Sequence, residues 1–169
     1  MTDALLLAIM ALSLAGIYLL LKNGFRTPAA PPSTRPASGS YVPAPPGAPV
    51  EHWSDGGRLQ TEVVAESRYN NTVQKLAGAH GERSADTRLL AVLAVDQNNP
   101  YDDKPVAVFI EGDMLGYLSP KDAQAFRALQ ARKEISNRAI SCDAAIRGGA
   151  AWEGKRLAYA VWLDIEPSR

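Results

Sequence analysis

The sequence predicts a mainly β domain, with a barrel-like sheet and two helices, that follows a membrane-spanning helix and a proline-rich linker. Three observations support this fold class: β-branched residues alternate in several short segments, an apolar stretch lies near the N-terminus, and prolines concentrate between the two. We therefore divide the chain into an anchor with its basic flank at residues 1–26, a disordered linker at residues 27–50, and a globular domain at residues 51–169.

The predicted anchor is residues 4–21, which are apolar apart from Ser13. A helix rises about 1.5 Å per residue, so this stretch reaches about 27 Å and matches the hydrocarbon core of a bilayer. A cleaved signal peptide is the alternative, but no Lys or Arg precedes the stretch, and it is long for a signal core. Lys22 and Arg26 follow it while only Asp3 precedes it, so we expect a single-pass protein with a cytoplasmic C-terminal domain.

The predicted linker contains eight prolines among Ala, Ser, Thr and Gly. This composition cannot build a core and favours extended, polyproline-like conformations. At about 3.1 Å per residue, such a spacer holds the domain several tens of ångströms from the bilayer. The alternative is a recognition role for Pro43, Pro45 and Pro46.

The globular domain is expected to begin with a strand that leads into a short helix. Residues 62–69 are rich in Val and Ala at their start and end with Arg68 and Tyr69. Asn71 stands three residues before Gln74, which is a variant of the capping box. The apolar face of this helix would consist of Val73, Leu76 and Ala77.

The next strand is expected over residues 87–95 and is followed by a tight turn and a hairpin. Pro100 fixes its own φ and favours an extended Asn99, while Asn and Asp side chains bond to nearby backbone amides. Residues 98–103 should therefore form a well-defined loop. Residues 106–118 alternate β-branched positions around a glycine-containing turn, which is typical of a β-hairpin.

A second helix and two more strands complete the predicted domain. Ser119 is placed to cap the helix, with Pro120 at its first position and Asp122 three residues after the cap. Its core face would consist of Ala123, Phe126, Ala128 and Leu129. Strands are expected over residues 139–147 and 157–165, and the last should point alternate side chains inward: Leu157, Tyr159, Val161, Leu163 and Ile165.

The charge of the chain does not indicate a strong nucleic-acid binder. The formal net charge is zero, and three of the 18 basic residues and one of the 18 acidic residues precede Glu51. That leaves 15 basic and 17 acidic residues in the globular part. Residues 121–156 are locally basic, with eight basic and four acidic residues, which indicates either a basic face or a solvated surface.

No spacing of reactive residues indicates catalysis. Cys142 lies in a predicted strand far from His52 and His80, so we expect neither a zinc site nor a Cys–His pair, and Cys142 should be a small buried hydrophobe. Asp96 and Asp102 lack the glycine-containing spacing of a calcium loop. With no phosphate-binding glycine loop and no helicase or nuclease motif, the sequence predicts a non-enzyme without cofactor or metal.

Several of these blocks, taken in order, resemble the HIRAN domain, a small module found in some helicase-like DNA repair proteins and as a free-standing bacterial or phage protein. The resemblance covers residues 58–166 and is most specific in its central block. The matching residues are Val64, Glu66 and Tyr69, then Asn99-Pro100-Tyr101-Asp102 and Val106-Ala107-Val108, and finally Gly116-Tyr117-Leu118 with Ala123 in the following helix.

The resemblance implies a modified OB-like or SH3-like barrel of about six strands with two short helices. It also implies a grip on the 3′ end of single-stranded DNA. Tyr69 and Tyr101 would stack on the last bases, Arg68 would meet a backbone phosphate, and Asp102 would accept a hydrogen bond from the 3′-hydroxyl. The chain departs from the family here, since Pro120 stands where the family has a lysine, and the adjacent Lys121 completes the predicted nucleic-acid contacts.

The chemistry of Asp102 supports this prediction independently. An ionised carboxylate only accepts hydrogen bonds, so it binds a free hydroxyl and repels a phosphate. Stacking on Tyr101 adds about 1 to 3 kcal/mol per base without sequence preference. In the structural alternative, Asp102 caps its own turn and Tyr101 packs over the hairpin.

Two functions follow from the sequence. The first is a membrane-tethered module that binds 3′ ends of single-stranded DNA. The second is a membrane-anchored protein-interaction adaptor with no DNA role, in which the same groove or a sheet edge binds a peptide.

Overall fold

The computed structural model describes residues 41–64 and 69–165. Over these residues the chain is mainly β, as the sequence predicts, with nine strands and two α-helices. In chain order they are β1 (Glu51–Trp53), β2 (Thr61–Glu62), α1 (Asn70–Ala77), β3 (Ala85–Val95), β4 (Val106–Ile110), β5 (Asp113–Tyr117), α2 (Pro120–Arg132), β6 (Ile140–Gly148), β7 (Ala151–Trp152), β8 (Lys155–Arg156) and β9 (Tyr159–Leu163).

Six strands form one curled, half-barrel sheet in the order β2-β9-β6-β3-β4-β5. Neighbours along this path are antiparallel, and β1 runs parallel to β6 beside them. The centre is the long pairing of β3 with β6, which runs from Ala85 opposite Gly148 to Leu93 opposite Ile140. β7 and β8 form a separate hairpin.

The two ends of the curled sheet meet at Val64 and Tyr117. Val64 lies just after β2, and Tyr117 is the last residue of β5. The N–H of Val64 donates to the carbonyl of Tyr117 at 2.8 Å, and the N–H of Tyr117 donates back at 3.2 Å. This contact between Val64 and Tyr117, the seam of the sheet, places the end of the β4–β5 hairpin beside the end of β2.

Alternating apolar residues fill the inside of the curve, because successive side chains of a strand point to opposite faces. Val161 and Leu163 of β9 are buried, and so is Ile165 just beyond it, as predicted. Leu157 is instead 51% exposed, so the inward position predicted for it is wrong. The reason is that Leu157 follows β8 and its N–H donates to the carbonyl of Ala150 beside the β7–β8 hairpin, and β9 starts only at Tyr159.

The predicted start of α2 is confirmed. Ser119 Oγ accepts the N–H of Asp122 at 3.2 Å and donates to its carboxylate at 2.7 Å, and Pro120 is the first helical residue. The helix then lies across the core, where the ring of Phe126 packs on Trp53 with centroids 5.1 Å apart.

The two helices agree with the sequence except at two face positions and one cap. Ala128 is exposed, and Gln130 is buried on that helix because its side-chain amide donates to the carbonyl of Arg138 at 2.7 Å. In α1, Asn71 is not the cap: the helix begins at Asn70, and Tyr69 takes the capping position without a side-chain hydrogen bond. The apolar face of α1 is as predicted, with Val73, Leu76 and Ala77 buried.

The predicted anchor, residues 1–26, lies outside the described residues. Within residues 41–64 and 69–165, no helix combines the length and the apolar character needed to span a bilayer.

The end of the predicted linker is described, and it packs on the folded domain without forming a helix or strand. The hydroxyl of Tyr41 donates to Asp96 Oδ1 at 2.7 Å, and Pro43 is buried. The N–H of Val50 donates to the carbonyl of Ala139 at 2.9 Å. The folded domain therefore extends into the predicted linker, because a tyrosine there reaches a buried carboxylate.

Candidate functional site

The loop between β3 and β4 is shaped by the side chain of Asn99. Its Oδ1 accepts the backbone N–H groups of Tyr101 at 2.9 Å and of Asp102 at 3.2 Å. Pro100 stands within this turn and restricts its backbone. Asp102 Oδ1 in turn accepts the N–H of Asp103 at 2.8 Å. The tight turn predicted here is confirmed, and Asp102 has a second carboxylate oxygen that can accept from a ligand.

Tyr101 and Asp102 lie on the wall of one pocket of about 220 Å³. Tyr101 is 36% exposed, and Asp102 is exposed as well. Two of the five predicted contact residues are therefore brought to one site. The rest of the wall comes from the segment before β1, the seam of the sheet, the loop before β4 and the start of α2: Tyr41, Val64, Asn99, Pro105, Tyr117, Leu118 and Pro120.

A buried carboxylate, Asp96, stands behind the loop that carries the pocket. It lies just after β3 and is 7% exposed. Its Oδ1 accepts from the hydroxyl of Tyr41 at 2.7 Å, and its Oδ2 accepts from the amide of Asn99 at 3.1 Å and from the hydroxyl of Tyr117 at 3.3 Å. None of these three partners is a cation, so neutral donors hold the buried carboxylate.

The same contacts perturb the two tyrosines. The hydrogen bond to Asp96, followed by burial and by the negative charge of Asp96, raises the pKa of Tyr41 to about 12. Burial is the main cause that raises the pKa of Tyr117, and the charge of Asp96 adds to it. Both phenols are therefore protonated at neutral pH and act as donors to Asp96.

Tyr69 is not at the pocket, which differs from its predicted place. It is 6% exposed and packs in a small cluster with Ala107, Phe109 and Met114, where its hydroxyl donates to Met114 Sδ at 3.2 Å. Tyr117 packs at the edge of this cluster and also lines the pocket. In this structure the ring of Tyr69 offers no open face for a base, and it supports the β4–β5 hairpin instead.

Lys121, one of the two predicted basic contacts, does not line the pocket. Lys121 is exposed at the second position of α2, next to the lining residue Pro120. Arg68 lies outside the described residues.

The site is aromatic and acidic rather than basic. The nine described residues that line the pocket include three tyrosines and one carboxylate, and none of these nine is Lys or Arg. A neighbouring depression shares Val64 with the pocket and is lined further along by Glu62, Asp122 and Trp162, among others. The described surface around Val64 and Tyr117 therefore suits a ligand that stacks and donates hydrogen bonds better than a ligand that presents several phosphates.

Outside this site, the described residues hold no cluster of metal-ligating side chains, and Cys142 lies in the core. Within the described part of the chain, no three His, Cys, Asp or Glu side chains are placed to hold a metal ion. Cys142 is fully buried, and burial raises the pKa of its thiol to about 12, with smaller contributions from the charges of Asp164 and Asp143. The thiol is protonated near neutral pH and fills the core, as the sequence predicts.

Sequence reasoning missed the hydrogen-bond network behind the loop. From the sequence, Asp96 is considered only as a cation ligand, Tyr41 lies in the predicted spacer, and Tyr117 lies in the predicted hairpin and in a block that resembles HIRAN domains. The available signal was an aromatic residue inside a proline-rich stretch, since Tyr41 is the only aromatic residue in residues 27–50. Disordered segments contain few aromatic residues, so a tyrosine within the predicted spacer indicates a segment that packs on the folded domain.

Comparisons of the chain with protein-family models, with curated proteins and with solved structures found no match. The likeness to HIRAN domains rests on the sequence blocks alone and stays a prediction.

Proposed function

We propose that the pocket around Tyr101 and Asp102 binds the 3′ end of a single-stranded nucleic acid, with DNA as the expected form. The observation that carries this proposal is that an accessible aromatic ring and a carboxylate share one small pocket. A stacking face and an acceptor for a terminal hydroxyl are the two groups that such an end requires.

The size of the pocket favours a chain end over a larger ligand. Pockets for whole cofactors and drug-sized molecules measure about 300 to 1,000 Å³. The pocket here measures about 220 Å³, so it admits one base or sugar ring rather than a dinucleotide. A single strand can insert its last nucleotide there while the rest of the strand remains on the surface.

The carboxylate of Asp102 provides the discrimination. One of its oxygens is held by the N–H of Asp103, which fixes the orientation of the group. The other can accept from a 3′-hydroxyl, whereas a 3′-phosphate or the phosphate of a continuing chain would meet a like charge. An end with a free hydroxyl is therefore the preferred ligand.

The affinity should be modest. Tyr101 provides one stacking surface, worth about 1 to 3 kcal/mol per base, while the ring of Tyr69 is buried. No described residue of the pocket wall is Lys or Arg, so little counterion release accompanies binding at this part of the wall. We expect dissociation constants in the micromolar range or weaker, of the order of non-specific DNA binding.

The fold and the N-terminus enter this proposal as well. A curled sheet with the pocket near its seam agrees with the modified OB-like or SH3-like barrel that the resemblance implies.

Residues 4–21 would tether the domain to a membrane, with the domain in the cytoplasm. Extraction of the full chain from membranes by detergent, but not by alkaline carbonate, is the expected result for such a tether.

Fluorescence anisotropy with the full chain in detergent micelles tests end recognition. Two 5′-labelled oligonucleotides of one sequence are compared, one with a 3′-hydroxyl and one with a 3′-phosphate, and a circular strand of that sequence serves as competitor. We expect the hydroxyl end to bind about tenfold more tightly, as for a hydrogen bond to a charged group, and the circle to compete poorly. Equal binding of both ends, or no binding, would refute end recognition.

The second candidate is a protein-interaction adaptor, and one observation favours it. The depression beside the pocket carries Glu62 and Asp122 next to Trp162, which suits a peptide with basic and apolar side chains better than a phosphate backbone. For this adaptor alone, we expect a stoichiometric protein partner to be recovered after nuclease treatment. The double variant Glu62→Gln, Asp122→Asn should lose that partner.

A further inference from the structure

The segment that connects the domain to the N-terminal part of the chain forms part of the pocket. Tyr41 lines the pocket, and together with Pro43 and Ala44 it also lines a depression over Val95 and Phe109 of β3 and β4. The described part of the segment thus lies against these strands, and its Tyr41 reaches the pocket.

A continuous set of hydrogen bonds leads from this segment to the loop between β3 and β4, which carries Tyr101 and Asp102. The Tyr41 hydroxyl donates to Oδ1 of Asp96, and the amide of Asn99 donates to Oδ2 of the same carboxylate. The oxygen of Asn99 then accepts the N–H groups of Tyr101 and Asp102. Asp96 uses both carboxylate oxygens, and Asn99 uses both its amide nitrogen and its oxygen, so each contact orients the next one.

Burial makes this chain of contacts sensitive to its first member. Asp96 is 7% exposed, and its described partners are neutral. Loss of the Tyr41 hydroxyl removes the donor to Oδ1, and a buried carboxylate oxygen without that donor must find water or move. Either change shifts the carboxylate that holds Asn99.

We propose that Tyr41 is a positioning residue of the pocket, whose hydroxyl fixes the Asp96–Asn99 pair and whose ring closes one wall. Docking of the connecting segment and occupancy of the pocket are then coupled. A ligand should stabilise the docked segment by the same free energy by which the docked segment stabilises ligand binding. The nature of that ligand rests on the proposed function, whereas the coupling inside the ligand-free protein does not.

Two variants separate the two roles of Tyr41. Tyr41→Phe keeps the ring and removes the hydroxyl, while Tyr41→Ala removes both. Val42→Ala is the matched control, because Val42 is the next residue of the same segment and is 55% exposed.

Hydrogen exchange of the ligand-free full chain tests the coupling directly. In Tyr41→Phe we expect the amides of Tyr101 and Asp102 to exchange about tenfold faster, with no change in β6, whose protection shows that the fold is intact. Val42→Ala should leave both regions unchanged. Equal exchange at Tyr101 and Asp102 in the wild type and in Tyr41→Phe overturns the coupling. Faster exchange throughout β6 also overturns it, because Tyr41 would then be only a general structural contact.

Oligonucleotide binding separates this inference from the proposed function. If the wild type prefers the 3′-hydroxyl end, Tyr41→Phe should lose most of that preference while it keeps most of the affinity for the 3′-phosphate end, a split that a merely structural contact would not produce. An unchanged preference in Tyr41→Phe overturns the positioning role. If the wild type binds neither end, the proposed function fails, and the exchange measurement alone decides the coupling.

Discussion

The side-chain amide of Asn99 donates to Oδ2 of Asp96 at 3.1 Å, although both residues lie in what the sequence shows only as a polar loop. The same amide group accepts two backbone N–H groups of the turn through its oxygen. One side chain therefore ties the loop between β3 and β4 to a buried carboxylate, and the stability of the loop depends on both.

Asn99→Ala should lower the free energy of unfolding by about 2 to 3 kcal/mol. The change removes the acceptor for two turn amides and a donor to buried Asp96, each worth about 1 kcal/mol or more. Urea unfolding followed by tryptophan fluorescence measures the loss. The neighbouring exposed Asn98, changed to Ala, is the control and should stay within about 0.5 kcal/mol of the wild type. Equal losses in the two variants would contradict the role given to Asn99.

Asp102→Asn should abolish discrimination between 3′-hydroxyl and 3′-phosphate ends with little loss of stability. The amide oxygen can still accept the N–H of Asp103, but the charge that repels a phosphate is gone. The ratio of the two dissociation constants, measured by anisotropy, should fall from about ten to near one. Asp103→Asn makes the same charge change one residue away, outside the pocket wall, and should keep the ratio. A ratio that falls equally in both variants would indicate a general charge effect.

Tyr101→Ala should weaken binding of single strands by about 1 to 3 kcal/mol, the value of one stacked base. Tyr101→Phe should retain most of the affinity, since the ring provides the stacking face. Trp152→Ala is a matched control: Trp152 is a larger aromatic residue, 67% exposed, and it does not line the pocket. If the Trp152 variant loses as much affinity as the Tyr101 variant, the stacking site is not at the pocket.

Stability should fall at alkaline pH in a way that depends on Tyr41. The hydrogen bond to Asp96 raises the pKa of Tyr41 from 10.0 to about 12, because only the protonated phenol can donate. The folded state thus holds this proton more tightly than the unfolded state. The resulting stabilisation is complete below about pH 10 and is lost as the pH rises towards about 12. Urea midpoints measured between about pH 9 and 11 should fall less steeply for Tyr41→Phe than for the wild type, and parallel slopes would contradict this coupling.

Lys121→Ala should weaken binding of both kinds of end equally and reduce the salt dependence of binding by about one charge. Lys121 is exposed beside the pocket but not in its wall, so it can meet a phosphate of the strand without reading its end. Lys155→Ala, on the β7–β8 hairpin, is the control and should leave the salt slope unchanged. An effect on end preference in the Lys121 variant would place this lysine inside the recognition site.

The parts of the fold that depend on local patterns could be predicted from the sequence. The β4–β5 hairpin, the alternation in β9 and the Ser119–Pro120 helix start are local signals, and they agree with the structure. The tight turn after β3 could also be predicted, because Asn99 and Pro100 act on their immediate neighbours.

The rest depends on contacts between distant parts of the chain. Leu157 continues the alternation of β9 in sequence but lies outside it, because the preceding hairpin decides where β9 begins. Tyr69 looks like a surface residue until β4 and β5 provide apolar neighbours for it. Tyr41 meets Asp96 across 55 residues, a pairing that no local pattern encodes.

Photo-crosslinking by single strands that carry 4-thiothymidine at one end is the most direct measurement of the central claim. With the probe at the 3′-terminal nucleotide of a strand with a free hydroxyl, we predict that crosslinks to the full chain map by mass spectrometry to Tyr101 and its neighbours in the pocket wall. With the probe at the 5′ end, these crosslinks should be absent. Equal yields from both ends, or 3′ crosslinks concentrated on Trp152 or elsewhere away from the pocket, would contradict the assignment of this pocket to a strand end.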